Sequence, residues 1–261
     1  MMMPRLFNSD AVSESLSFIL LTAIMLIAFF VVYSAGLPAY STYLDQSHMT
    51  NVEQSFSIIA YNGNTVAMHK SPFSSSELKI FGGTLATRDA GYMDISYYGD
   101  TGGTSLIGSN NTTLKVLEYT KGTDRVAYID GGVCRYYPTG SVMLTDPPIH
   151  TTPDSLIVPT ITVYNSDVSV AGNGLTRILF LTPYYSKMSQ TISLPTAASF
   201  DVKRIDIRMK SEYADAFGRY FAETLGFTQS EGPDGEVIVS KSYPSGIRLQ
   251  LIQSYLTIEA N

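Results

Sequence analysis

Few residues in this chain have the type and spacing to do chemistry. His48, His69 and His150 are scattered without metal-ligand spacing, and His48 and His69 fall on one helical region, where packed or surface histidines are the ordinary case. No H-E-x-x-H, G-x-S-x-G or phosphate-binding loop occurs. Cys134, the single cysteine, stands in Gly-Gly-Val-Cys-Arg-Tyr within an expected strand. A lone strand thiol is a small buried hydrophobe before it is a nucleophile, and one cysteine excludes an internal disulfide or a Cys-built zinc site. Asp234-Gly235-Glu236 lacks the rest of a calcium-loop pattern and reads as a hairpin turn. Paired carboxylates leave no readable spacing, yet nothing else points to catalysis, so no catalytic, cofactor or metal residue is assigned and the chain is expected not to be an enzyme.

Two features do carry chemistry. Asn110-Asn111-Thr112-Thr113 holds two overlapping N-glycosylation acceptors, Asn-Asn-Thr at Asn110 and Asn-Thr-Thr at Asn111. Both follow an expected Gly108-Ser109 turn and should be exposed, with crowding allowing a glycan on one of them. The second feature is a pair of carboxylates, Asp10 and Glu14, directly before a long apolar run. Carboxylates there either sit among headgroups, favoured by the helix dipole, or belong to an assembly signal.

That apolar run fixes the class of protein. No charged residue stands between Glu14 and Asp45, and Leu16 to Gly36 reads LSFILLTAIMLIAFFVVYSAG. As a helix this stretch spans about 31 Å at ~1.5 Å per residue, the thickness of a hydrocarbon core. Tyr33, Tyr40 and Tyr43 cluster at its far end, where amphipathic rings favour the interface. Arg5 is the one basic residue before it and Lys70 the first after it, which orients the N-terminus inside and the remainder outside. A buried core helix would have a shorter apolar stretch. A secretory signal cut near Ser34-Ala35-Gly36 would have a shorter apolar region and a cationic start instead of Asp10 and Glu14. The composition agrees with an external, β-rich remainder: 15% charged residues, 18 Tyr, 20 Gly and no Trp. A net charge of -6 repels phosphate backbones, so nucleic acid is not an expected partner.

Asn8-Ser9-Asp10-Ala11-Val12-Ser13-Glu14-Ser15, running into the apolar helix, resembles the N-terminus of archaeal type IV pilins. AVSESLSFILL, the tract Asn51-Val52-Glu53-Gln54 and Phe81-Gly82-Gly83-Thr84-Leu85 are similar to a family of pilin-like surface proteins of methanogens and haloarchaea, over about the first 90 residues. Ser211-Glu212-Tyr213-Ala214-Asp215-Ala216-Phe217 looks like a further element of that family. The resemblance implies a leader removed by a prepilin peptidase between Ser9 and Asp10, which makes Glu14 the fifth mature residue. It departs from the pattern at Asn8, where such leaders carry Lys or Arg. It further implies pilin-like subunits as partners, with Glu14 paired to the new α-amino group of a neighbour. The implied role is a structural, minor subunit of a type IV pilus-like filament in adhesion or envelope contact, because a long head is bulky to pack at every position. Two alternatives stay open: a permanently anchored adhesion or binding protein, and a secreted enzyme or binding protein starting near Leu37.

The pattern beyond the span divides the chain into a leader (1–9), one long helix (10–68, kinked at Pro38), a β-rich head (69–200) and an α+β subdomain (201–261). In the helix, Leu44, Met49, Val52, Phe56 and Ile59 recur at helical spacing, and Asn62-Gly63-Asn64 blurs its end. Short alternating runs predict strands at 78–81, 93–98, 114–119, 125–129, 133–137, 156–164, 177–181 and 191–194, with Gly and Pro pairs between them. The last segment reads strand–helix–strand–strand, with Gly226 capping the helix and Gly232-Pro233-Asp234-Gly235 turning before strands at 237–240 and 247–258. The expected fold class is α+β: a transmembrane helix followed by an antiparallel β-rich ectodomain.

Overall fold

A computed structural model describes residues 9–68, 70–164, 166–182, 190–194 and 202–260, and side chains within these from residue 16 onward, excepting 190–194. Residues 1–8 of the expected leader, His69, and the side chains of Asp10 and Glu14 lie outside the described residues. The chain divides into two compact units, Met1–Thr50 and Asn51–Asn261.

The N-terminal sequence forms α1 (Ser9–Val31), a wide π turn (Val32–Gly36) and α2 (Leu37–Ala67). Proline has no N–H, and its ring crowds the carbonyl four residues back. For Pro38 that carbonyl is Ser34's, inside the π turn, so the helix absorbs the proline by widening one turn before it. The helix also runs straight through Asn62-Gly63-Asn64, against local propensity, because packing uses all three residues. Asn62 Nδ2 donates to Ser76 Oγ at 2.8 Å, and Asn64 Nδ2 donates to the Gly131 carbonyl at 2.8 Å. The Tyr128 hydroxyl donates to Asn64 Oδ1 at 3.0 Å, and a Cβ on Gly63 would stand 3.1 Å from that same hydroxyl oxygen.

The head begins with β1 (Phe73–Lys79), β2 (Gly83–Tyr98), β3 (Leu106–Lys121), β4 (Asp124–Ile129), β5 (Gly132–Tyr137) and β6 (Gly140–Thr145). It continues with β7 (His150–Thr151), β8 (Ser155–Val163), β9 (Ser169–Gly172), β10 (Leu175–Leu181), β11 (Gln190–Leu194) and β12 (Val202–Lys210). Then come α3 (Ala214–Arg219), extended by a wide turn to Thr224, β13 (Thr228–Glu231) and β14 (Val237–Ala260). These fourteen strands among the described residues form one connected sheet with the main order β1-β10-β14-β12-β2-β3-β4-β5-β6. The fold is α+β, as expected. Pairing is antiparallel except where β8 lies parallel to β14.

The expected 201–261 segment does keep its strand–helix–strand–strand order, but β12 and β14 lie side by side in the middle of the sheet that residues 69–200 also build. The strands expected at 237–240 and 247–258 are two parts of β14. Between Val202↔Ile247 and Arg204↔Ser242, two steps along β12 meet five along β14, so Tyr243-Pro244-Ser245-Gly246 forms a bulge. The donor that Pro244 lacks is not needed there, because the bulge stands outside the ladder, and Gly246 supplies a φ of 75°.

The expected turn at Gly108-Ser109 is instead interior to β3, with Gly108 opposite Tyr97 and Ser109 opposite Ser96. Gly108 serves a close approach, since a Cβ there would lie 2.3 Å from the Tyr97 hydroxyl oxygen. The real turn follows Tyr98 and is organised by Asp100, whose carboxylate accepts the Ser105 and Thr104 backbone N–H groups at 2.7 and 3.1 Å. Those bonds, the Ser105 one foremost, hold its pKa down at about 2.

One core cluster sits between sheet and helix: Ile205, Ile207 and Met209 of β12, Val237 and Val239 of β14, and Phe217 and Phe221 around α3. Full burial of side chains this size stabilises by about 1.5–3 kcal/mol each. α3 also covers β6, the end of the main path: the Ala216 N–H donates to Ser141 Oγ at 3.1 Å, and Arg219 donates to the Ser141 carbonyl. A free sheet edge is thereby occupied.

Gly91 tests the bulge in β2, where the register shifts between Asp89 and Gly91. Its φ is 106° and a Cβ would come within 1.8 Å of the Lys210 carbonyl oxygen. Gly91→Ala is expected to cost about 3 kcal/mol or more in denaturant unfolding of the full chain. Gly122→Ala, at φ 61° with nothing within 4 Å, should cost only about 1–2 kcal/mol.

Candidate functional site

The first functional element is the apolar helix. From Leu16 through Tyr43 every described side chain is exposed, with Phe18 at 73% and Phe29 at 76%. Among the described residues one helix is long and apolar enough to cross a membrane, with a mean hydropathy of 2.7 in its most apolar window. Its hydroxyls are compatible with lipid where they can be followed: Thr22 Oγ1 donates to the Phe18 carbonyl at 2.8 Å, so its hydroxyl proton is paired. Past the π turn, Ser41 and Thr42 donate to the Pro38 carbonyl at 2.9 and 3.0 Å. Tyr33, Tyr40 and Tyr43 are all exposed beside this stretch, as an interfacial belt requires.

The expected cleavage bond joins Ser9 and Asp10 at the first turn of α1. Asn110 and Asn111 both lie in β3, Asn110 half-buried and Asn111 exposed. Cys134 is fully buried, burial pushes its thiol pKa well up, and its Sγ lies 3.6 Å from Met143 Sδ. His48 lies in α2 and His150 opens β7. Among the described residues no group of three or more His, Cys, Asp or Glu is placed to hold a metal ion. Asp234, at φ 58°, makes the tight turn before β14.

Sequence reasoning missed the charged cluster that docks α3. Arg88 forks onto Glu118, with Nε 3.0 Å from Oε1 and Nη2 2.5 Å from Oε2. Its Nη2 also lies 2.7 Å from Glu212 Oε2, which Arg125 Nη1 reaches at 2.7 Å. The Tyr213 hydroxyl donates to the buried Glu118, and the Arg125 guanidinium stacks 3.6 Å over the Tyr136 ring. Burial alone would raise the pKa of Glu212, but the hydrogen bonds from Arg88 and Arg125 outweigh it and hold the carboxylate down. Glu212 and Tyr213 thus clamp the start of α3 to β2, β3 and β4. A second pairing links α2 to the sheet: Arg135 bonds Glu53 and also Asp124, the latter at 3.1 Å. The partners in these clusters stand up to 124 residues apart, so no local spacing announces them.

A family model described as a family of unknown function, DUF7289, matches residues 11–259. This chain belongs to that family. No curated protein and no solved structure matches it. The match takes in both the apolar helix and the head.

One further buried carboxylate of this DUF7289 chain was not singled out by the sequence. Asp130 and Gly131, at φ 47° and 81°, form the tight turn between β4 and β5. Asp130 is 2% exposed, and its Oδ1 accepts the Ile161 N–H of β8 at 2.6 Å. Burial raises its pKa from 3.8 to about 8, although the Ile161 bond works in the opposite direction. The fold therefore favours the protonated acid. Its contribution to stability is complete below about pH 4 and is lost as pH rises through about 8. Asp130→Asn keeps the acceptor and tolerates the positive φ but never ionises. Thermal melts of the variant should lose much of the decline in stability that the parent shows from pH 5 to pH 8.

Proposed function

We propose that this DUF7289 chain is a pilin-like structural subunit, minor in number, of a surface filament of the type IV pilus kind, acting in adhesion or envelope contact. Before assembly the helix sits in the membrane with its N-terminus inside and the head outside. The observation that carries this reading is the stretch Leu16–Gly36, apolar on every side and exposed along its length, ahead of a β-rich head. Such a helix is at rest only in lipid or among other apolar helices. A filament core of neighbouring helices replaces the bilayer, so assembly exchanges one apolar surrounding for another. The membrane, a prepilin peptidase and other pilin-like subunits are its partners.

The departure at Asn8, in place of the usual Lys or Arg, favours a second reading: a permanent anchor carrying an external adhesion or binding head that does not polymerise. Mass spectrometry of the native N-terminus separates the two. A mature chain starting at Asp10 and present in sheared filaments is expected for the subunit. Retention of Met1 through Ser9 on surface-exposed protein overturns it in favour of the anchor.

Glu14 gives the assembly test. An unpaired carboxylate buried in an apolar bundle costs several kcal/mol. The new α-amino group of a processed neighbour neutralises it, with Asp10 as a second carboxylate nearby. Glu14→Gln is expected to insert in the membrane as the parent does and to enter filaments at a severalfold lower level. Incorporation at the parental level would show that Glu14 does not pair in this way.

A further inference from the structure

The two overlapping glycosylation acceptors are not equivalent in the folded head. An Asn-x-Ser/Thr signal uses the carboxamide and the hydroxyl two residues later. In a β-strand, residues two apart point to the same face. β3 therefore turns one acceptor toward the core face, with Asn110 half-buried and Thr112 buried, and the other outward. Asn110 and Thr112 stand opposite the buried Ile95 and Met93, and Asn110 Nδ2 and Thr112 Oγ1 are both buried with no hydrogen-bond partner among the described residues. Asn111 and Thr113 are both exposed and stand opposite Asp94 and Tyr92. Asp94 in turn stands opposite the exposed Arg208 on β12, so the outward face is polar across three strands. A glycan on Asn110 would have to pass through the core side of the sheet, whereas one on Asn111 extends into water.

We propose that Asn111 is the N-glycosylation site of this protein and that Asn110 is not used. The proposal rests on the reading that the head is external. Its co-reactant is an oligosaccharide carried through a phosphate on a membrane lipid, brought by a membrane-bound transferase to the chain anchored in the same bilayer. Asn111 Nδ2 attacks the anomeric carbon of the sugar. The bond from that carbon to the phosphate oxygen breaks and its electron pair leaves with the lipid phosphate. A carbon–nitrogen bond forms, and Nδ2 gives up one proton to a base of the transferase.

Two isosteric variants separate the acceptors without touching either asparagine. Thr112→Val abolishes the signal at Asn110 and leaves Asn-Val-Thr at Asn111. Thr113→Val does the reverse. The full-length chain is expressed in a host that glycosylates its surface proteins, and the tryptic peptide 89–115 is weighed. Carbohydrate is expected on the parent and on Thr112→Val and absent from Thr113→Val. Thr112→Val should also melt no lower than the parent, since it removes a buried unpaired hydroxyl. A third variant, Lys121→Asn, writes Asn-Gly-Thr from the last residue of β3 into the turn before β4 as a control for topology, read on its tryptic peptide 116–125. Sugar retained by Thr113→Val overturns the proposal. A bare parent with sugar on the Lys121→Asn turn overturns it while leaving the external head intact. A bare Lys121→Asn chain overturns the external placement and the proposal with it.

Discussion

The head depends on one strand. β14 is 24 residues long and bonds in turn to β12 and β13, then to β8 and β11, then to β10. A strand that long cannot serve ladders of different direction without bending, and the bulge at Tyr243-Pro244-Ser245-Gly246 supplies the bend. The buried positions before it are Val237 and Val239, and after it Ile247, Leu249 and Leu251. Further along the phase changes, and Ser254, Leu256 and Ile258 face inward. β8, β10, β11, β12 and β13 all pair with β14, whereas β2 to β6 pair among themselves. β1 must wait for β10, about a hundred residues later in sequence. Such non-local pairing is slow to form, and the N-terminal helix is complete long before it.

The parts of this fold that are local in sequence were legible in it. The all-round apolar run, the change to a one-sided pattern after Pro38, the alternation of Ile205, Ile207 and Met209, and the cap at Gly226 each report on neighbours within a turn or two. What escaped is non-local. Gly108 looks like turn punctuation, yet its missing side chain answers to Tyr97 on the next strand. Asn62-Gly63-Asn64 looks like a helix end, yet Ser76, Tyr128 and Gly131 hold it in the helix. Glycine and asparagine have two uses, freedom of the backbone and smallness or amide bonding at a contact. A single sequence does not separate them. The same limit hid the Arg88–Glu118–Glu212–Arg125 cluster, whose members are ordinary surface charges until the fold brings them together.

Two buried carboxylates, Glu118 and Asp130, join elements of the head that are distant in sequence. Glu118 is engaged by the Arg88 fork and the Tyr213 hydroxyl. Asp130 is held in a tight turn, where its Oδ1 accepts the Ile161 N–H. Both carboxylates lock elements together: α3 onto β2–β4 in one case, the β4–β5 hairpin onto β8 in the other. Their polar atoms satisfy buried backbone and guanidinium groups that would otherwise destabilise the core.

The helix and the head make opposite demands on their surroundings. Along Leu16–Gly36 the exposed surface is aliphatic and aromatic with backbone hydrogen bonds closed inside the helix, a surface that water penalises and lipid does not. On the outward face of β2, β3 and β12 the exposed groups are Asp, Asn, Thr and Arg, which lipid would penalise by several kcal/mol each if unpaired. The chain thus carries two surfaces that favour different media, and the exposed Tyr33, Tyr40 and Tyr43 stand along the helix at and beyond the end of its apolar run. The same contrast limits how copies could associate. Helices can exchange lipid for one another at little cost, because one apolar surrounding replaces another. A head contact would keep polar groups wet or bridged by water, beside exposed apolar side chains such as Phe73, Leu106 and Leu175. A contact between copies is thus least costly along the helix, where one apolar surrounding replaces another.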